Sequence, residues 1–176
     1  IEMSEHASSI KEQYMSLCTQ KRTNPKSSLV QLISTFGKQQ SHNLNFTGYG
    51  LSDADFDAAS IIFQNLTTLN SLHLHGNRLS TVSVTKFLDI VSATGAASNL
   101  QHIDISGVNF DLASMNSLLD LQHLKALPLI HFIANDCTMG DPASAMLFEW
   151  LADGHCKTLT VLQLASNECS SLFCRS

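Results

Sequence analysis

The sequence predicts an α/β fold: an open, right-handed solenoid in which short parallel strands line a concave side, helices pack on the convex side, and a helical cap precedes the repeats. Three observations predict it. An eleven-residue pattern recurs at starts near residues 41, 69, 100, 129 and 159, with steps of 28, 31, 29 and 30 residues. Two alternating positions in every copy are apolar, as a strand with one buried face requires. An apolar set at helical spacing follows the first four copies.

The cap comes first. Within residues 1–40, Ile10, Tyr14, Leu17 and Cys18 recur at helix spacing, and Pro25 precedes a second apolar set, Leu29, Leu32, Ile33 and Phe36. The first unit of a repeat array needs its open core covered, so a terminal unit departs from the pattern. Residues 41–176 form the repeat region.

The pattern is clearest in Leu69-Asn70-Ser71-Leu72-His73-Leu74-His75-Gly76-Asn77-Arg78-Leu79, and it returns in Leu159 to Cys169 with Cys169 in the final place. The copies starting at Ser41, Leu100 and Leu129 are more degenerate. Inward positions four and six hold Leu44 and Phe46, Leu72 and Leu74, Ile103 and Ile105, Phe132 and Ala134, then Leu162 and Leu164. Position nine, where a polar side chain is expected to bond backbone groups at the turn, holds Tyr49, Asn77, Val108, Cys137 and Asn167. Val108 has no such chemistry, which predicts a locally irregular third copy or a bound water.

Helix faces follow at Phe56, Ala59 and Phe63; Val84, Phe87, Leu88 and Val91; Met115, Leu118 and Leu119; and Met146, Leu147, Trp150 and Leu151. Asp53, Asp141 and Pro142 sit at expected helix starts, where acids suit the helix dipole and proline the first turn. Only seven residues follow the last copy, Ser170 to Ser176. That is too short for a returning helix, so the sequence predicts either continuation beyond Ser176 or coverage of this end by self-association.

These copies resemble leucine-rich repeats of the ribonuclease-inhibitor-like subclass, over roughly residues 41–170. The turns Leu51-Ser52-Asp53 and Met139-Gly140-Asp141 are similar to the Leu-x-Asp turns of that subclass. The resemblance implies a curved solenoid whose concave sheet binds other proteins. The leader, with Tyr14, Leu17, Cys18, Pro25 and Leu29 to Leu32, is similar to that of some centrosomal and ciliary leucine-rich-repeat proteins. It tilts the cytoplasmic location expected of a chain with no membrane span or opening signal segment toward the cytoskeleton, at a centrosome, cilium or flagellum.

Composition narrows the classes of function. Hydrophobic residues make up 44% and charged ones 14% of the 176 residues, enough apolar surface for one continuous core. The net charge is −5, and Lys21, Arg22, Lys26 and Lys38 form no dense basic stripe, which argues against nucleic acid as a partner. No run of about 18 apolar residues is present, so no membrane span is expected. Five cysteines, Cys18, Cys137, Cys156, Cys169 and Cys174, show no CxxC spacing and read as reduced thiols. The triplets at Asn45 and Asn65 match glycosylation acceptors, a pattern that matters only in a secreted chain.

Outward positions three, five and seven gather histidine. They place His73, His75, His102, Asp104, His131, Ile133 and Asn135 as the central partner contacts, with Ile130 beside them as an exposed apolar anchor. Adjacent strands put His73 beside Asp104 and His102 beside His131, an imidazole cluster around one carboxylate. Such a cluster suits polar solubility, a proton-sensitive contact, or zinc ligation; no resident metal or cofactor is expected. No phosphate loop, HExxH or nucleophile elbow occurs, and Ser106 beside His75 is a weak nucleophile–base pair, so no enzyme activity is expected. The expected function is a non-enzymatic protein-binding scaffold with an unidentified partner. The alternatives are a metal- or pH-sensitive module and a GTPase regulator, for which Arg78 is the repeat-region arginine before Arg175.

Overall fold

A computed structural model of the protein describes residues 2–36, 42–120 and 127–170. The Ser41 repeat start, the cap boundary at residue 40, Lys38, Cys174 and Arg175 lie outside the described residues.

Two helices open the chain, α1 (Glu2–Gln20) and α2 (Ser27–Ile33). Five short strands follow: β1 (His42–Asn45), β2 (Leu69–His73), β3 (His102–Asp104), β4 (His131–Ile133) and β5 (Val161–Gln163). They form one parallel sheet in the order β1-β2-β3-β4-β5, so chain order is sheet order. Between them lie α3 (Asp53–Ala58) and α4 (Ser60–Gln64), then α5 (Thr81–Ala93) with a 3-10 turn (Ala96–Asn99), α6 (Leu112–Leu119) and α7 (Gly140–Ala152). Parallel neighbours need a crossover connection, and these helices supply it.

The inward residues of the first four strand segments, from Leu44 and Phe46 to Phe132 and Ala134, are all buried. Leu162 and Leu164 are half-buried. The expected helix faces meet them: Phe56, Phe63, Val84, Phe87, Leu88, Val91, Met115, Leu118, Leu119 and Leu147 are buried in one continuous hydrophobic cluster. Phe63 and Phe87 cross edge to face with centroids 4.7 Å apart, a favoured aromatic geometry. Met146, Trp150 and Leu151 are half-buried at the margin of that cluster.

The cap packs as expected through Ile10, Tyr14, Cys18, Leu29, Ile33 and Phe36, all buried, while Leu17 and Leu32 are half-buried. Helix α1 lies against α3 and α4. Polar groups fix the joint. The Tyr14 hydroxyl accepts the Lys26 backbone N–H at 2.9 Å. Asp55, 2% exposed, accepts from the Thr23 hydroxyl and from both the N–H and Oγ of Ser52, each at 2.8 Å, with Lys26 Nζ 3.5 Å away. Burial alone would raise the Asp55 pKa, but these hydrogen bonds and Lys26 hold it below the ordinary carboxylate value.

The turns after the strands show where the repeat chemistry holds. Asn77 Nδ2 donates to the carbonyls of Phe46 and Leu74, and its Oδ1 accepts from Leu51 N–H. Asn167 does the same one end further on, with the carbonyls of Ala134 and Leu164 and the N–H of Cys137. Each side chain thus satisfies three backbone groups that burial would otherwise orphan.

Two expectations about these turns are corrected. Tyr49 is not the first copy's turn residue: it is 52% exposed, and it is Leu51 whose N–H donates to Asn77 Oδ1. Gly48 and Gly50, at φ +72° and +64°, let the chain loop out here, and the strand register also shifts between His42 and Asn43. The irregular copy is therefore the first. The third keeps an unbroken register on both sides, because the Ile105 carbonyl accepts from Val108 N–H at 3.2 Å and from the Cys137 thiol at 3.5 Å. Burial pushes that thiol up to about 11, so it stays a protonated donor.

Asp53 and Asp141 do more than suit a helix dipole. Asp53 Oδ1 accepts from Ser80 N–H and Ser83 Oγ at the start of α5, and Asp141 Oδ1 accepts from Ser170 N–H. Each carboxylate clasps the equivalent point of the next copy.

Candidate functional site

The outward rows of the sheet fall in the register that the repeat spacing predicts. One row runs Asn43, Ser71, His102, His131, Val161, and the next runs Asn45, His73, Asp104, Ile133, Gln163. The strands are too short to bend or slip far, and each inward apolar pair pins its own register.

A trough of 480 Å³ opens on this face, lined by Asn43, Asn45, Ser71, His73, His102, Ile103, His131 and Ile133. Four of the seven expected contacts line it: His73, His102, His131 and Ile133. His75 is exposed past the end of β2, outside the lining. Asn43, Asn45 and Ser71 join the site. Their rows and spacing carry the signal, while the histidines of the pattern concentrate further along the sheet.

The His102 and His131 rings meet edge to face at 4.6 Å between centroids. Partial burial lowers the His102 pKa, and the neighbouring His131 and His73 lower it further, since each would repel a second positive charge. These surroundings therefore favour neutral imidazole at His102.

The expected arrangement of imidazoles around one carboxylate is corrected. Asp104 pairs with His73 in register, yet its Oδ1 accepts the Ser106 N–H at 3.0 Å, closing a local turn, and among the described residues it makes no ion pair with a histidine. Asn45 repeats the device with Thr47 N–H at 3.0 Å. Among the described residues, no group of three or more His, Cys, Asp or Glu side chains converges closely enough to hold a metal ion. Zinc ligation by this cluster thus lacks its geometric basis.

Several other candidate side chains are occupied by structure. Asn135 Oδ1 accepts from Ala165 N–H, and Ser106 Oγ accepts from Asn135 N–H at 3.1 Å. Ser106 is 4% exposed and bound to backbone, so it is not set out as a nucleophile for His75. Ile130 and Ile133, expected as exposed anchors, are half-buried. Arg78 is an exposed turn residue whose N–H bonds the Leu51 carbonyl.

Cys18, Cys137 and Cys156 are buried thiols and Cys169 is a half-buried one. No helix among the described residues is long and apolar enough to cross a membrane. No protein-family model matches the chain, and no curated protein shows significant similarity to it.

Proposed function

We propose that the chain is a leucine-rich-repeat solenoid that works as a non-enzymatic protein-binding scaffold, receiving its partner on the open sheet face. The trough across β1 to β4 carries this reading. It presents polar and imidazole groups around half-buried Ile133, the mixture of an apolar anchor and a polar surround that suits a protein contact. Recurrence of the asparagine turn at Asn77 and Asn167, with the clasps from Asp53 and Asp141, supports the repeat reading. A rigid face is useful to a binder because little entropy is lost on docking.

The test compares capture of proteins from lysate by the wild-type chain, by His73→Glu/Ile133→Glu on the open face, and by Val82→Glu/Leu112→Glu on exposed helix-side positions. A protein set retained by wild type and the helix-side variant but lost by the open-face variant is the expected result. Loss only with the helix-side variant would move the working surface to the helices.

A further inference from the structure

Separately from the open face, we infer that copies of this chain join head to tail, the free edge of β5 in one copy pairing parallel with the free edge of β1 in the next.

One backbone bond repeats along the sheet. The N–H of the sixth repeat position donates to the fifth-position carbonyl of the following strand: Phe46 to His73, Leu74 to Asp104, Ile105 to Ile133 and Ala134 to Gln163, all at 2.8–2.9 Å. The series leaves one donor over on the β5 side, Leu164 N–H, and one acceptor over on β1, the Asn45 carbonyl. A second series runs back across the strand starts, His131 N–H donating to the Gln101 carbonyl and Val161 N–H to the Ile130 carbonyl. It leaves over the Thr160 carbonyl beside β5 and Asn43 N–H on β1. Alternation turns the backbone groups of Asn43 and Asn45 away from β2, toward the open edge. Each edge thus holds the partner that the other lacks, in the direction and register of the strand pairs already formed. Unpaired edge groups of this kind recruit another strand.

The side chains agree with the backbone. At β5 the half-buried Leu159, Leu162 and Leu164 end the hydrophobic cluster. At β1 a groove of 270 Å³ opens between the strand and α2, with Leu44, Phe46 and half-buried Leu32 in its walls, so inward leucines from another copy meet apolar surface there. The outward residues of the two edges, Asn43 and Asn45 against Val161 and Gln163, are uncharged, so their pairing desolvates no charge. Among the described residues, the buried side-chain polar atoms without a partner are Ser28 Oγ and His42 Nδ1 beside β1, and Trp150 Nε1 and Ser170 Oγ toward β5. Both ends of the sheet, and none of its middle strands, carry these unmet groups. An isolated peptide strand satisfies one edge; a second copy serves both. Because two different surfaces meet, the contact does not close as a two-fold dimer does, and each added copy leaves an edge for the next.

Sedimentation velocity on the full chain over about a hundredfold range of concentration is the test, with a mass that rises beyond the dimer expected. Asn43→Pro removes the β1 N–H and Leu164→Pro the β5 N–H, each at a free edge, where proline is tolerated. Each variant alone is expected to stay monomeric. Mixed, they are expected to form a one-to-one dimer and nothing larger, since one keeps a working tail and the other a working head. Asn43→Ala and Leu164→Ile keep the N–H and should assemble as the wild type does. In the wild-type chain, amide exchange at both Asn43 and Leu164 should slow at least about tenfold as concentration rises, a readout that needs no variant. A monomeric wild type, a mass that stops at the dimer, protection at only one of the two amides, or a mixture of the proline variants that stays monomeric each overturns the inference.

Discussion

Leu44 and Phe46, on the β1 side, are 3% and 4% exposed beneath the cap, whereas Leu162 and Leu164, at the same two positions of β5, are only half-buried. The residue types are equivalent and the burial is not. What differs is the next layer: α1 and α2 close one flank, and Asp55 stitches that closure with Thr23, Ser52 and Lys26. An inward leucine here contributes according to the neighbour that covers it.

Breaking the comparison begins with paired truncations. Leu44→Ala, at 3% exposure, should cost about 3–5 kcal/mol, while Leu162→Ala should cost about 1 kcal/mol. Urea midpoints at constant slope measure both; equal losses would mean the two flanks are equally covered in solution.

Next is the stitch. Asp55→Ala removes the acceptor from Thr23, Ser52 and Lys26 and should cost about 2–3 kcal/mol. Hydrogen exchange should localise the loss to α1, α2 and β1 before β4 and β5. A loss spread evenly over the sheet would refute the cap as a separable closure.

The smallest effect is with pH. His42 is buried beside Phe36, its Nε2 bonds Thr35 Oγ1, and burial holds its pKa below 6.5. The fold therefore favours neutral imidazole: this contribution is complete above pH 6.5 and is lost as pH falls from there through the lowered folded value. Asp55, also lowered, acts in the same direction further into acid, below the ordinary carboxylate value of 3.8. Urea midpoints at pH 7.5 and 5 should differ less in His42→Leu than in wild type.

Much of this was legible in the sequence because it follows from period and alternation. The register of His73 with Asp104, and of His102 with His131, came directly from the copy starts. The side-chain chemistry did not. Nothing in the pattern says that Asp104 bonds Ser106 N–H rather than a histidine, because a short acceptor two residues before a free N–H is a local competitor invisible to row counting. The first turn was misassigned for a related reason: Gly48 and Gly50 adopt left-handed conformations that add chain without adding a repeat position, so Tyr49 fell in the wrong place. Cys137 replacing an asparagine across two copies was likewise hidden, since its partner, the Ile105 carbonyl, belongs to the preceding copy.

Because strands join in chain order, every sheet contact connects segments about thirty residues apart, and none ties the first strand to the last. Under tension applied at the two ends of the molecule, the described strands offer no long-range clamp to resist shear. The molecule should lengthen in steps, each releasing one strand and a helix packed on it, with the capped β1 unit yielding at the highest force.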